Sequence, residues 1–345
     1  MKRTPMKCNS NAIEVWDQIK QSIRNARESV YRKVNEELIQ MYWTIGEQLS
    51  EEKKKSNFGD AYIDNIARHI NQEFPELKGF TRRGLYRMIQ FYETYKDDTF
   101  VSSLLTQVNW TNHLAILSKA NSLEERHFYL TLCIKESYSS RELSRQIDSA
   151  YYERYMLSEN KLLTYLKGEK DALSLLDTYV FDFLNLPKRY KEKDLRDGII
   201  EQMKSFILEI GKDFSFIGKE YKIEVGNRDF FIDLLFFHRG LRCLVAFELK
   251  IGQFEPEFIS KMDFYLEALD RQKRKEGENP SVGVILCSYK DDEVVEYALS
   301  RTLSPTMVAN YTIQLPDKEI LQRKLKEITL LSQTKTDTSD LCQHC

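Results

Sequence analysis

The chain has 345 residues and a mass of 40.8 kDa, which is enough for two domains with separate hydrophobic cores. Hydrophobic residues make up 42% and charged residues 30%, a globular balance that excludes a largely disordered chain. With 51 basic and 53 acidic residues the net charge is −2, so bulk charge neither indicates nor excludes a nucleic-acid partner. The sequence shows no apolar run of membrane-spanning length and no signal-peptide pattern, and its six scattered cysteines exclude a disulfide scaffold. We expect a cytoplasmic protein without a membrane partner.

The region 12–155 has the pattern of a helical domain. Apolar residues at helical spacing predict a helix over 12–49, followed by a polar break at 51–55. Asp60 and Thr81 are candidate N-caps of the next two helices, the first of which we expect to end before Pro75. Three further helices are predicted over 112–120, 123–136 and 140–154.

After residue 155 the pattern changes to alternating strands and helices. We interpret 156–186 as a connector, 187–331 as a second domain and 332–345 as a flexible tail. The predicted strands are 221–225, 230–237, 242–249, 282–287 and 308–315, and the predicted helices are 194–210, 257–275 and 292–301. This order indicates a mixed sheet with helices packed against it.

Residues 230–250 form the most informative stretch, two strongly apolar strands that flank a turn at Arg239-Gly240. The sequence places Asp233, Glu248 and Lys250 in this apolar setting, where an unpaired buried charge is costly. Asp233 and Glu248 are equidistant from the midpoint of the turn, so an antiparallel register predicts them as cross-strand neighbours with Cβ atoms about 5 Å apart. Because strand side chains alternate, Lys250 is expected on the same face as Glu248.

Two carboxylates this close raise each other's pKa unless a cation lies between them. Mg²⁺ suits oxygen ligands and keeps several waters, and a metal-bound water can attack a phosphodiester while an ammonium stabilises the developing charge. The hairpin therefore favours metal-dependent hydrolysis of nucleic acid. The alternative is an exposed acidic pair bridged by lysine, since Glu-x-Lys also occurs at Glu51 and Lys53 in a polar run.

The hairpin carries a family resemblance. Asp233 followed by Glu248-Leu-Lys250 resembles the signature of the PD-(D/E)XK nuclease superfamily, and the segments 224–226, 230–238 and 245–252 resemble the YhcG-like family. Over roughly 15–330, this resemblance implies an α+β protein with an all-α, helix-turn-helix-like domain followed by a mixed-sheet α/β restriction-endonuclease-like domain. It also implies Asp233, Glu248 and Lys250 as active-site residues, with Asp233 and Glu248 holding Mg²⁺ or, as a substitute, Mn²⁺.

Many relatives carry a glutamate on the helix that precedes the sheet. This chain has Arg196 at the expected position, and Glu192, Asp194 and Glu201 are open alternatives for the missing carboxylate.

Relatives also often carry Gln-x-x-x-Tyr on the helix after the Glu-x-Lys strand. Here Lys261 and Tyr265 have that spacing and share a helix face, so Lys261 is a candidate phosphate contact; a solvent lysine and a packing tyrosine are the alternative. Glu224 is a further candidate, with a surface position on its strand as the alternative.

The helix after Thr81 is the candidate nucleic-acid interface. Leu85, Met88, Ile89 and Tyr92 are its predicted core stripe. The candidate contact residues lie on the opposite stripe and in the first turn: Arg82, Arg83, Arg87 and Gln90. Such a helix is typical of major-groove binding, although the linker 74–80 is longer than a minimal helix-turn-helix turn; a solvated face is the alternative. The segments 80–88, 108–113 and 138–143 resemble the family's N-terminal domain, which implies DNA binding.

Together these features predict a Mg²⁺-dependent nuclease that acts on DNA rather than RNA, as an endonuclease rather than an exonuclease. The resemblance implies a role in genome defence or DNA processing. A non-catalytic nucleic-acid-binding or adaptor protein that retains a nuclease fold is the alternative, favoured by the missing helix glutamate. A second alternative is that the helical domain mainly drives self-association into a homo-oligomer. Cys342 and Cys345 lack a second ligand pair, so we interpret them as incidental rather than a zinc site.

Overall fold

The computed structural model describes residues 10–55, 60–158, 176–302 and 304–328, and the chain divides into two compact units, 1–143 and 144–345. The described part of the first unit is helical, and the second is built on a six-stranded mixed sheet, which confirms the predicted fold class. Within these ranges, none of the helices is both long enough and apolar enough to cross a bilayer. The predicted tail, 332–345, lies outside the described residues.

The first unit begins with a helix of 46 residues. Its helices in chain order are α1 (Ser10–Lys55), α2 (Asp60–Glu73), α3 (Arg82–Tyr95), α4 (Thr99–Ser102), α5 (Trp110–Lys119), α6 (Leu123–Glu136) and α7 (Ser140–Asp148), the last of which continues into the second unit. The predicted break at 51–55 is wrong, because α1 runs through these residues. The end of α2 at Glu73 and the start of α3 agree with prediction, and the Thr81 hydroxyl caps α3 by accepting from the Gly84 N–H at 3.2 Å.

The core of the first unit centres on α3, whose Leu85, Met88 and Ile89 are buried as predicted. Helix α1 approaches α3 so closely that a Cβ atom added at Gly46 would lie 2.2 Å from the Met88 carbonyl oxygen. Tyr92, predicted in the core stripe, is half-buried and donates its hydroxyl to Glu47 at 3.2 Å.

In the second unit, two predicted helices are each interrupted. The helix predicted over 140–154 breaks at Ala150, which has a left-handed φ of 53°, and the helix predicted over 194–210 breaks at Gln202. Among the described residues, the α-helices that follow α7 are α8 (Tyr151–Leu157), α9 (Glu192–Glu201), α10 (Met203–Ile210), α11 (Glu257–Gln272) and α12 (Asp292–Leu299). The strands are β1 (Thr178–Val180), β2 (Phe214–Val225), β3 (Arg228–His238), β4 (Cys243–Leu249), β5 (Val282–Cys287) and β6 (Thr306–Thr312).

The strand order in the sheet is β1-β6-β5-β4-β3-β2. Strands β2, β3 and β4 are antiparallel neighbours, whereas β4, β5, β6 and β1 run parallel. Strand β1 lies within the predicted connector 156–186 and forms an edge of the sheet.

Both faces of the sheet are covered, so the central strands are buried along their whole length. Helices α9 and α10 pack on the face that carries Phe247 and Leu249, and α11 packs on the face that carries Ala246 and Ile285. Every residue of β4 is buried, which explains its continuous apolar sequence. Glu248 is the one charged residue of β4, and its carboxylate is buried with the apolar side chains of the strand.

Candidate active site

The β3–β4 hairpin has the predicted register. Its ladder runs from His238 opposite Cys243 to Leu234 opposite Phe247, and the midpoint of the turn falls between residues 240 and 241. Beyond Leu234 the contact between the two strands is made by a side chain, because Asp233 Oδ2 accepts a hydrogen bond from the Leu249 N–H at 2.9 Å. Asp233 is thereby fixed against the end of β4, next to Glu248.

Glu248 is 2% exposed, and its two carboxylate oxygens have different surroundings. Oε1 accepts from the ammonium of Lys250 at 2.9 Å and from that of Lys261. Oε2 is buried without a hydrogen-bond partner among the described residues. A buried anionic oxygen without a partner is costly, so this atom is suited to receive a cation or a donor from outside the chain.

Asp233 is held by an arginine from the preceding helix. Arg196 of α9 donates to Asp233 Oδ1 at 2.9 Å and to Glu220 Oε1 of β2 at 3.0 Å. Arg196, at the position where the sequence resemblance led us to expect a glutamate, therefore neutralises one of the two central carboxylates.

Of the alternative helix carboxylates, Glu192 is the one that reaches the cluster. Its Oε2 lies 3.4 Å from the Lys250 ammonium. Asp194 instead accepts from the Lys191 N–H at 2.8 Å and caps α9, and Glu201 is exposed at the end of the same helix. Lys250 thus lies between two carboxylates, Glu192 and Glu248.

Lys261 and Tyr265 lie together on α11, but their environments differ. Burial alone would lower the pKa of Lys261, yet its hydrogen bond and ion pair with Glu248 outweigh burial and raise that pKa above its ordinary value. Tyr265 is buried, which raises its pKa, and it donates its hydroxyl to the Phe231 carbonyl at 2.7 Å. Lys261 therefore belongs to the carboxylate cluster, while Tyr265 fastens α11 to β3 beneath it.

Glu224 is exposed and pairs with Asp229 near the β2–β3 turn, away from the contacts that join the cluster. The β2 carboxylate that reaches the cluster is Glu220, which the sequence analysis did not single out. After an irregularity in β2 between Phe216 and Gly218, Lys219 lies opposite Leu234 and Tyr221 opposite Ile232, with Glu220 between them. The glycine at 218 was the one sequence signal of that bulge.

Asp233 and Glu248 are the two carboxylates of the cluster that could hold a cation. No group of three or more histidine, cysteine or acidic side chains in the described ranges is placed to enclose a metal ion. Two carboxylates are nevertheless a sufficient protein ligand set for Mg²⁺, which keeps several waters. The partnerless Glu248 Oε2 is consistent with that ion, and Lys250 and Lys261 add positive charge beside it.

In the first unit, the four candidate nucleic-acid contacts lie on α3 away from its buried stripe. Arg82 is exposed, pairs with Asp64 at 3.3 Å and lies 5.8 Å from the Tyr86 ring centre. Arg83 and Gln90 are exposed and Arg87 is half-buried. Of the four, Arg82 is engaged by Asp64, and a nucleic-acid contact of these residues stays a prediction.

The mixed sheet and its helices belong to the region, residues 172–326, that matches the family model of the YhcG PDDEXK nuclease domain. Residues 18–154 match the DUF1016 N-terminal domain. Both matches agree with the sequence resemblance, a helical N-terminal region followed by a region similar to PDDEXK nuclease domains.

A curated relative agrees with this assignment. The Escherichia coli (strain K12) protein named "Putative nuclease YhcG" is 28% identical over 349 residues, which cover 90% of this chain and 93% of that protein.

Two solved structures are also similar to part of the chain. A repair endonuclease from Pyrococcus abyssi is 18% identical with a TM-score of 0.25, over 38% of this chain and 50% of that one. The EndoMS-dsDNA2 complex is 15% identical with a TM-score of 0.26, over 39% of this chain and 48% of that one. This chain thus spans about half the length of the solved structures that it matches.

Proposed function

We propose that this protein is a metal-dependent nuclease that hydrolyses phosphodiester bonds in nucleic acid. The observation that carries the proposal is the convergence of Asp233, Glu248 and Lys250 where β3 and β4 separate, with one Glu248 oxygen buried and partnerless. A carboxylate oxygen this deeply buried gains a favourable interaction if a cation or a donor binds to it.

Asp233 and Glu248 are the residues that would hold Mg²⁺, for which Mn²⁺ is the expected substitute. When bound, such an ion supplies a Lewis acid and lowers the pKa of a coordinated water.

The remaining side chains of the cluster would bind the phosphate, orient the attacking water and neutralise negative charge. Lys250 carries an ammonium next to Glu248, where it can contact a phosphate oxygen, orient the attacking water and offset the negative charge that grows in the transition state. Lys261 offers a second ammonium on the more exposed side of Glu248. Arg196 fixes the Asp233 carboxylate through Oδ1.

Double-stranded DNA is the substrate that the first unit supports best. Arg82, Arg83, Arg87 and Gln90 lie on α3 away from its buried stripe, and a helix with basic and amide side chains suits a major groove. We infer endonuclease action in genome defence or DNA processing, in line with the family resemblance.

The test is cleavage by the full chain of closed circular plasmid, linear duplex, single-stranded DNA and RNA, with Mg²⁺, Mn²⁺ or a chelator. We expect metal-dependent nicking or linearisation of the circle, and a loss of at least about 10³-fold in Asp233→Asn and Glu248→Gln, since charged active-site groups contribute on that scale. Glu224→Gln, which changes an exposed carboxylate outside the cluster, is the matched control and should remain active. Equal cleavage by wild type and both cluster variants would mean a contaminating nuclease.

A non-catalytic nucleic-acid-binding or adaptor protein is the second candidate. It is favoured by Arg196, which occupies the place of a helix glutamate and pairs with Asp233. Nucleic-acid binding without cleavage of any substrate, together with no detectable metal binding, would select this candidate.

A further inference from the structure

Helix α1 presents a long apolar face that the described parts of the chain leave uncovered. Every residue from 15 to 34 is exposed. The large apolar side chains of this part of the helix are exposed by 36 to 69%: Val15, Trp16, Ile19, Ile23, Val30, Tyr31, Val34, Leu38 and Met41. Contiguous exposed apolar surface of this kind marks an interaction site rather than ordinary surface.

Seven of these residues form one stripe, which we call the α1 stripe: Trp16, Ile19, Ile23, Val30, Val34, Leu38 and Met41. Their spacings of three, four or seven residues keep them on one side of the helix over about 38 Å, at 1.5 Å per residue. Farther along the helix, α1 packs in the core of the first unit through Ile39, Leu49 and Ile45, which is half-buried and continues the line of the stripe. The stripe is therefore the part of this apolar surface, from Trp16 to Met41, that the described residues leave uncovered.

The α1 stripe is self-complementary under a two-fold axis. Trp16 and Met41 are equidistant from the midpoint between residues 28 and 29, and so are Ile19 and Leu38, and Ile23 and Val34. A second copy running antiparallel would thus bring an apolar side chain to the level of each of these six. Such a pairing uses the same patch on both partners, which is the property of a two-fold interface.

Charge favours the antiparallel arrangement over a parallel one. Between residues 15 and 33 the helix carries five basic and two acidic residues: Lys20, Arg24, Arg27, Arg32 and Lys33, with Asp17 and Glu28. A parallel copy in register would place each cation next to its own counterpart, which is destabilising. The antiparallel copy brings Lys20 to the level of Glu37, and Arg24 with Lys33 is the like-charge pair that it leaves, fewer than in the parallel arrangement.

We propose that α1 is a self-association element, through which two copies of this chain pair antiparallel along the α1 stripe. The proposal stands independently of nuclease activity.

The first test is the oligomeric state of the full chain by light scattering and sedimentation over a range of concentrations. We expect a dimer for wild type and at least about a 100-fold weaker association for Ile19→Glu/Ile23→Glu, because pairing would bury uncompensated charge. Gln18→Glu/Asn25→Glu adds the same charge on the other side of the helix and should remain dimeric. Circular dichroism distinguishes lost pairing from lost helix.

A wild type that stays monomeric at about 100 μM, or a stripe variant that dimerises as well as the control pair, overturns the proposal. Binding of a monomeric wild type to vesicles of anionic lipid would assign the stripe to a membrane surface and would also overturn it.

The second test fixes the orientation by cysteine cross-linking. A mixture of Ile23→Cys and Val34→Cys should form a cross-linked dimer above the wild-type background. Each variant alone should not, because identical positions lie about 16 Å apart along the axis of an antiparallel pair. Efficient cross-linking of Ile23→Cys with itself would contradict the antiparallel arrangement.

Discussion

Glu248 is the central residue of the carboxylate cluster in the second unit. One of its oxygens contacts two ammonium groups and the other is buried without a partner in the described structure. An added divalent cation would satisfy that second oxygen together with Asp233, and a ligand that binds the native state stabilises it.

We therefore predict that Mg²⁺ or Mn²⁺ raises the thermal unfolding temperature of the metal-free protein. At a metal concentration of one hundred times Kd the added stability is about 2.7 kcal/mol. Scanning calorimetry should show the increase in wild type and in Glu224→Gln, and none in Asp233→Asn or Glu248→Gln. An equal shift in all four proteins would place the metal elsewhere.

His113 is a second residue whose environment can be tested, because it should make the stability of the protein depend on pH. Its ring is fully buried, Nε2 donates to the Leu105 carbonyl at 2.9 Å, and burial lowers the pKa of His113 to about 4. The unfolded chain takes up this proton near pH 6.5 while the folded chain does not, so stability is complete above pH 6.5 and is lost as pH falls toward 4.

Between pH 7 and pH 5.5 we expect His113 to account for a loss of about 1 kcal/mol in the free energy of unfolding. Urea denaturation at a series of pH values measures it. In His113→Gln, which can still donate to Leu105 but does not titrate, that part of the pH dependence should disappear. If the free energy of unfolding depended on pH in the same way after the substitution, His113 would not be the residue responsible.

The central pair of the site was predictable from sequence, whereas the residues around it were not. Asp233 and Glu248 belong to one hairpin, whose register follows from the position of its turn. Arg196, Glu192 and Lys261 come from helices on the two faces of the sheet, so their meeting depends on tertiary packing.

At the scale of elements, the sequence predicted long periodic segments well and short or interrupted ones poorly. Strand β5 and helix α6 have the predicted ends. Strand β1 has three residues, too few to show a pattern in the sequence. Ala150 interrupts a predicted helix because it has a left-handed φ, a conformation that the residue type alanine does not predict. The predicted break in α1 failed because glutamate and lysine, although polar, are good helix formers.

The packing of α1 on α3 leads to a prediction that opposes helix propensity. Alanine is favoured over glycine in a helix interior by about 1 kcal/mol, yet a Cβ at Gly46 would lie 2.2 Å from the Met88 carbonyl oxygen. Since backbone must move to relieve this contact, we expect Gly46→Ala to destabilise the protein by about 1–3 kcal/mol.

Gly198 in α9 is the matched control, because its added Cβ would meet side chains at 3.4 Å or more. Gly198→Ala should be neutral or stabilising by up to about 1 kcal/mol. Urea denaturation of both variants decides the matter, and a stabilising Gly46→Ala would refute the close approach of α1 to α3.

At the scale of the whole molecule, the two units carry separate parts of the proposed activity. The carboxylate cluster lies in residues 144–345 and the basic face of α3 in residues 1–143. Binding and cleavage should then respond to different substitutions in the same full-length protein.

We predict that Arg83→Glu/Arg87→Glu weakens binding to duplex DNA without removing the capacity to cleave at saturating DNA. Losing two phosphate contacts should lower the slope of log K against log salt by about 2, because each contact displaces about 0.9 counterion. Fluorescence anisotropy of a labelled duplex in chelator, repeated over a range of salt, measures the slope. Asp233→Asn should bind with the wild-type slope and fail to cleave.

Lys324→Glu/Lys326→Glu is the control for bulk charge, since it reverses two exposed lysines and changes the net charge by the same amount. If this control pair weakens binding as much as the α3 pair, the effect is general electrostatics and α3 is not the contact helix. If the α3 pair instead abolishes cleavage at saturating DNA while leaving affinity intact, the division of work between the two units is wrong, because the helix would then act on the chemical step rather than on binding.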